Sequence, residues 1–209
     1  MDKKIVVIMP CYLGYYEGAS ANREMKFIRA VNSFLDQTYK NKHLVIVSDG
    51  CQLTYGLYTK YFKGIPNIHC LQILKQPLFS GNVRNQGLLY QRRFIKADIE
   101  TYLDADDFYM PEHLQSIVYQ FNGFDWVYFN DRLRPSLNKY VIRSTSLEKH
   151  HIGTSNIAHK PLKEFNWKVE AGYGHDWLMI SEKLMKNSNY SKINVDSYIV
   201  CHNPVLFDN

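Results

Sequence analysis

Residues Tyr102 to Asp107 read Y-L-D-A-D-D, and the strand-like run Ile99 to Leu103 leads directly into them. Three carboxylates, Asp104, Asp106 and Asp107, therefore cluster where a strand ends, before Pro111 opens an amphipathic stretch through Phe121. Side chains on extended backbone alternate faces with period two, so the spacing points Asp104 and Asp106 the same way. Like charges so close repel. A hard divalent cation held by carboxylate oxygen and completed by phosphate oxygens answers that repulsion. A solvated acidic turn capping the next helix answers it too, and Asp107 reads as such a cap.

Upstream, the chain repeats one pattern. Ile5 to Met9 is a continuous apolar run, typical of a strand covered on both faces and ended by Pro10-Cys11-Tyr12. Asn22 to Gln37 has helical periodicity, with Asn22 or Ser20 as cap. Leu44 to Gly50 is a second apolar run ending in acid and glycine, followed by a helical stretch from Leu53 to Phe62. Ile68 to Leu74 reads as a third strand, Val83 to Ile95 as a helix, and 99–103 as the fourth strand. Strands alternating with helices predict right-handed crossovers and a mostly parallel sheet flanked by helices. Ligands of such sheets bind beyond the strands' carboxyl ends, which here carry Tyr12, Asp49 and Asp104. The second half loses this rhythm. Strands are expected at Phe124–Asn130, Tyr140–Ser144, Ile152–His159 and Tyr198–His202, and a helix at Asp176–Lys186, completing the same sheet.

The 209 residues suit one domain. The first apolar run is far too short to span a membrane or serve as a signal segment, so a cytoplasmic protein without a membrane span is expected. Cys11, Cys51, Cys70 and Cys201 lack zinc or disulfide spacing. The net charge of +5 is dispersed rather than striped, which argues against nucleic-acid binding while favouring phosphate-bearing ligands.

Several ordered motifs resemble inverting glycosyltransferases of the family 2 type, which have the GT-A fold. I-V-V-I-M-P-C-Y resembles the family's first strand and P-x-Y turn, and Val45 to Cys51 its V-D-D-G-S segment. N-V-R-N-Q-G-L at Asn82 to Leu88 is similar to A-R-N-x-G-L, and L-D-A-D-D to the D-x-D motif. Gly174-His175-Asp176-Trp177 resembles G-x-E-D-W, and Tyr198 to His202 the C-terminal Y-x-x-x-H. The resemblance implies a single GT-A domain, with 1–107 binding the nucleotide sugar and 108–209 the acceptor. It implies that Pro10 and Tyr12 line the nucleotide pocket, Asp49 accepts from the base, Arg84 meets the diphosphate and Asp104 binds ribose. Asp106, with His202, would hold Mn²⁺ or Mg²⁺, and Asp176 would be the general base. The implied reaction transfers sugar from a nucleotide diphosphate sugar, UDP-linked, to a glycan or lipid-linked acceptor, the latter with peripheral membrane association.

His175 stands where the family has Glu and Cys51 where it has Ser, changes expected to alter packing around the site. The Tyr12–Asn22 loop is longer than the family's turn, as either a pocket wall, a lid or a surface loop. Acceptor recognition falls to Tyr140–Lys168. Asp176 also reads as a plain helix cap, Asp49 as a turn residue and Arg84 as a surface helix residue. Two other functions compete. A sugar nucleotidyltransferase would need a basic, glycine-rich loop after the first strand, which Leu13–Arg23 lacks; a non-catalytic nucleotide-sugar-binding module would lack a base.

Overall fold

The computed structural model describes residues 2–17, 19, 21–76, 80–136, 139–162, 167–168, 174–186 and 188–201. Its first half follows the sequence pattern closely. Strands β1 (Ile5–Cys11), β2 (Lys42–Asp49), β3 (Ile68–Ile73) and β4 (Ile99–Tyr102) alternate with helices α1 (Arg23–Leu35), α2 (Gln52–Tyr61) and α3 (Gly81–Phe94). All four strands run parallel in the order β3-β2-β1-β4. Pro10 lies inside β1 rather than ending it. Pairing with β4 stops at Ile8, so no ladder bond on that side requires the N–H that Pro10 lacks. Asn22 occupies the α1 cap position in a left-handed conformation but makes no side-chain cap bond.

The continuous apolar runs are buried on both faces, as parallel strands require. Val6, Ile8, Val45 and Val47 pack with Val83 and Leu88 of α3. Ile5, Val7 and Met9 face the other way, toward Phe27 and Phe34 of α1. Gly87 sets how closely α3 approaches the sheet: an added Cβ would sit 2.7 Å from Ile8 Cγ2 and 3.0 Å from Val47 Cγ2. Those methyls belong to stiff, buried β-branched residues that cannot swing away.

The second half departs from the expectation of one continued sheet. Strands β5 (Phe108–Tyr109), β7 (Asp131–Ser136), β8 (Lys139–Arg143) and β11 (Tyr198–Val200) form a separate four-stranded sheet in the order β5-β11-β7-β8. Among the described residues only β6 (Trp126–Tyr128), β9 (Ile157–His159) and β10 (Tyr190–Lys192) extend the first sheet, with β9 inserted antiparallel between β4 and β6. The strand expected from Ile152 begins instead with a 3₁₀ turn at Thr154–Asn156. Helix α4 (His113–Gln120) follows the acidic turn, and α5 (His175–Met179) runs into a π-helical turn at Ile180–Leu184 rather than continuing as one α-helix. No described helix is long and apolar enough to cross a membrane.

His113, wholly buried on α4, stacks on Tyr109 with ring centroids 4.1 Å apart, and its Nδ1 lies 2.9 Å from Ser197 Oγ. Burial pushes its imidazole down from 6.5 to about 3. The folded state thus holds it neutral, and the stability it contributes is full above pH 6.5 and lost as pH falls toward 3. Urea unfolding between pH 6.5 and 4 should show an acid loss that His113→Phe reduces by about one proton, or about 1.4 kcal/mol per pH unit. Identical slopes in both proteins would contradict this role.

Candidate active site

The three acids stand on a tight turn. Asp107 N–H donates to Asp104 O at 3.1 Å, so the backbone bends where continued extension was expected. Asp107 is no helix cap: it is buried, accepting from Tyr198 Oη at 2.9 Å and from Cys201 N at 2.6 Å. Tyr198 Oη also accepts from Asp104 N at 3.1 Å. The second sheet therefore clamps the turn through its central strand β11. Burial, then the Asp106 and Asp104 charges, push the Asp107 carboxyl well above the usual range. Arg29 Nη2 holds the turn from α1 by donating to Asp106 O at 2.7 Å.

Bending does not separate Asp104 from Asp106. Both line a cleft of about 320 Å³ beyond the carboxyl ends of β1 and β4, together with Pro10, Tyr12 and Arg84. Five of the residues singled out in the sequence thus converge. Among the described residues no three His, Cys, Asp or Glu side chains form a closed metal cage. Two carboxylates lining one cleft fit a hard cation bound by one or two carboxylates and completed by ligand phosphates. His202 lies outside the described residues.

Arg84 is buried beneath the cleft. Its Nη2 donates to Asp104 Oδ1 at 3.0 Å and its Nη1 to Ser80 Oγ at 2.5 Å. Nη1 also lies 3.6 Å from Asp176 Oδ1, and the guanidinium sits 5.4 Å from the Trp167 ring centroid. One guanidinium therefore joins the cleft's carboxylate to the acid of the predicted base, and a surface helix residue is excluded.

Asp176 occupies the first turn of α5, a helix that begins at His175. Its Oδ1 lies 2.8 Å from His175 Nε2, while Oδ2 is 3.4 Å from Thr154 N and 3.3 Å from Thr154 Oγ1. Burial alone would raise this carboxyl. Arg84, followed by His175 and Thr154 N–H, outweighs burial and holds it below the usual range, so it is ionised at neutral pH. His175 thus touches Asp176 itself: its Nε2 also lies 3.2 Å from Arg84 Nη1 and its ring stands edge-on to Trp167.

Asp49 is set apart from the cleft lining. Its Oδ2 is paired with Lys75 Nζ at 2.5 Å and its Oδ1 accepts from Gln76 N at 2.7 Å. Lys75 in turn stands 4.4 Å from the Tyr12 ring centroid, tying Asp49 to the aromatic wall. Gly50 beside it has φ of 63° and would place a Cβ 2.6 Å from Lys75 N, so only glycine fits. Cys51 is buried, its Sγ accepting from Leu13 N at 3.4 Å.

The long loop after β1 walls the cleft through Leu13 and Tyr16. Arg23, on the first turn of α1, pins it by donating to Gly14 O at 2.7 Å and to Tyr12 O, with its guanidinium 4.7 Å from the Tyr16 ring centroid. Sequence reasoning missed Arg23 and Lys75. Neither belongs to a motif, and a single basic residue in a loop or a first helical turn carries no periodic signal.

A mostly parallel sheet flanked by helices, with two carboxylates on the turn after its fourth strand and Arg84 joining one of them to Asp176, defines a GT-A architecture. A sequence model described as Glycosyl transferase family 2 matches residues 7–186, and the chain belongs to that family. Over 117 residues it is 27% identical to the glycosyltransferase GlyA of Streptococcus pneumoniae, covering 56% of this chain and 15% of that protein. Over 102 residues it is 33% identical to an uncharacterized glycosyltransferase of Nostoc sp., covering 47% of this chain and 30% of that protein. The chain thus spans less than a third of either curated relative. Staphylococcus aureus TarS, solved with UDP, superimposes with TM-score 0.74 at 16% identity over 94% of this chain and 60% of that one. A mannosyltransferase of Pyrobaculum calidifontis, solved with GDP-Man and Mn²⁺, gives 0.67 at 12% identity over 96% of this chain and 57% of that one.

Replacing Arg84 with Met leaves Asp104 and Asp176 without their shared counter-charge. The carboxylates keep 37% and 28% of their side-chain surface in solvent, so the loss is expected to be about 1–3 kcal/mol, below that of a fully buried pair. Arg84→Lys should recover little, because an ammonium cannot fork between two carboxylates. Urea midpoints for the two variants check this; full recovery by Lys would contradict a bridging role.

Proposed function

We propose that this chain transfers a sugar, with inversion, from a UDP-linked nucleotide diphosphate sugar to a hydroxyl of a glycan or lipid-linked acceptor. The observation that carries this reading is the single buried guanidinium reaching Asp104 at 3.0 Å and Asp176 at 3.6 Å. A binding module would need the first contact alone; a transferase needs donor and base held in one frame. The UDP and UDP-GlcNAc complexes of TarS support uridine as the nucleotide, and the GDP-Man complex of the mannosyltransferase makes guanosine its competitor.

In this reading residues 1–107 bind the donor and 108–209 the acceptor. Tyr12 walls the base, and Asp49 accepts its imide N–H once Lys75 yields or shares that oxygen. Asp104 binds ribose hydroxyls while Arg84 faces the diphosphate with its remaining N–H capacity. Asp106 would hold Mn²⁺ or Mg²⁺, with His202 as a second protein ligand. A cation bound there supplies Lewis-acid stabilisation of the departing diphosphate. Asp176, ionised and oriented by Arg84 and His175, takes the acceptor's proton on the opposite side. The setting is polysaccharide assembly on the cytoplasmic side, with peripheral membrane association where the acceptor is lipid-linked.

Asp176→Asn should lower transfer by about 10²–10⁴-fold, the usual worth of a general base, while UDP affinity stays within twofold. Radiolabelled sugar transfer and calorimetric UDP binding measure the two separately. Parallel loss of both, or retained transfer, would sink the assignment of Asp176 as base.

A further inference from the structure

His175 Nε2 faces two groups of opposite demand. Arg84 Nη1 lies 3.2 Å away in hydrogen-bonding geometry, and Asp176 Oδ1 lies 2.8 Å away. A guanidinium has no lone pair to offer, so its contact with Nε2 is a hydrogen bond only when that nitrogen is unprotonated and accepts. An ionised carboxylate is the reverse and can only accept. The bond to Arg84 therefore assigns the neutral ring's proton to Nδ1. It also leaves Nη1 at 3.6 Å from Asp176 Oδ1, an ion pair without the short charge-assisted hydrogen bond that would hold the carboxylate more tightly. Packing keeps the imidazole in place: it is buried, and its ring stands edge-on to Trp167 with centroids 5.6 Å apart. The charged and titratable groups around it are Asp176 on its own helix and Arg84 on α3, with Asp104 behind the guanidinium at 3.0 Å and Tyr102 behind Trp167.

Resting on the glycosyltransferase reading above, we propose that His175 is a positioning residue that draws the Arg84 Nη1–H away from Asp176, limiting how far the guanidinium weakens the base, until its own protonation reverses the effect. A hydrogen bond to the charged form of a carboxylate makes it a weaker base, so each N–H diverted elsewhere spares it. Once protonated, Nε2 no longer accepts from Arg84. It donates instead to Oδ1 across the 2.8 Å contact and sets a second cation beside the carboxylate. The proton of the acceptor hydroxyl then meets a weaker base. One nitrogen thus spares Asp176 when neutral and clamps it when charged. Imidazole changes charge between about pH 5 and 8, so loss of transfer on acidification belongs to His175, the carboxylate remaining ionised throughout that range.

The test measures nucleoside diphosphate release from UDP-glucose, UDP-GlcNAc and GDP-mannose across that pH range, with water or methyl pyranosides as acceptors. For a donor that turns over, wild-type kcat should fall on an acid limb with its midpoint in the imidazole range. His175→Phe removes the acceptor and should lower kcat at the alkaline end at least tenfold, with donor KM within twofold. His175→Gln offers Arg84 a carbonyl acceptor that cannot titrate, so it should recover part of that loss and move the acid limb down by about one pH unit or more, even where His175→Phe folds poorly. ¹⁵N NMR of the ligand-free chain reads the same arrangement without turnover. The His175 ring signals, identified by their absence in His175→Gln, should show Nε2 unprotonated at about pH 8. An acid limb unchanged in His175→Gln, or a proton on Nε2 at that pH, overturns the role of His175 and leaves the glycosyltransferase reading standing. No release from any donor by the wild-type chain overturns that reading itself.

Discussion

The site depends on one buried cation. Arg84 is 4% exposed, and a guanidinium so placed is tolerated only where carboxylates and acceptors surround it. Ser80 meets that need from the start of Arg84's own helix, and Asp104 and Asp176 from two other elements. The fold must bring them within reach before the charge can be buried, so the electrostatics themselves select this arrangement. Gly87 lets α3 lie close enough to β1 and β2 to aim Arg84 under the strand ends. Asn85, one residue on, takes Trp167 N–H at 3.0 Å, which sets the indole against the guanidinium.

A second constraint locks the acidic turn. Tyr198 and Cys201 approach Asp107 from β11 and its end, and Tyr109 Oη donates to Tyr102 O from β5. The small sheet is thus a brace for the turn, not an extension of the parallel sheet. Asp104 and Asp106 owe their shared direction to this clamp rather than to strand alternation.

The parallel half was legible because its strands are uniformly apolar and its helices amphipathic, signals that need no tertiary information. The second half was not, for reasons visible in particular residues. Strand β7, D-R-L-R-P-S, looks like a loop because its charges are answered across the fold: Arg132 pairs with Asp196 and Asp131 with Arg143. β10 is a three-residue edge strand with polar composition, and β5 is only two residues long. Of the residues singled out by ordered motifs, Pro10, Tyr12, Arg84, Asp104 and Asp106 share one cleft. Lys75 and His175 gain their significance only from contacts 26 and 91 positions away, with Asp49 and Arg84, which no local pattern encodes.

In the proposed site, the Asp104–Asp106 turn and Arg84 bind a nucleotide diphosphate together with a divalent cation. Calorimetric titration of UDP and GDP, each with Mn²⁺ and with EDTA, into the wild-type chain and Asp106→Ala tests it directly. Mn²⁺-dependent binding of one nucleotide, lost in the variant, is the predicted result. Binding that is indifferent to both EDTA and Asp106→Ala, or no binding under any condition, would contradict it.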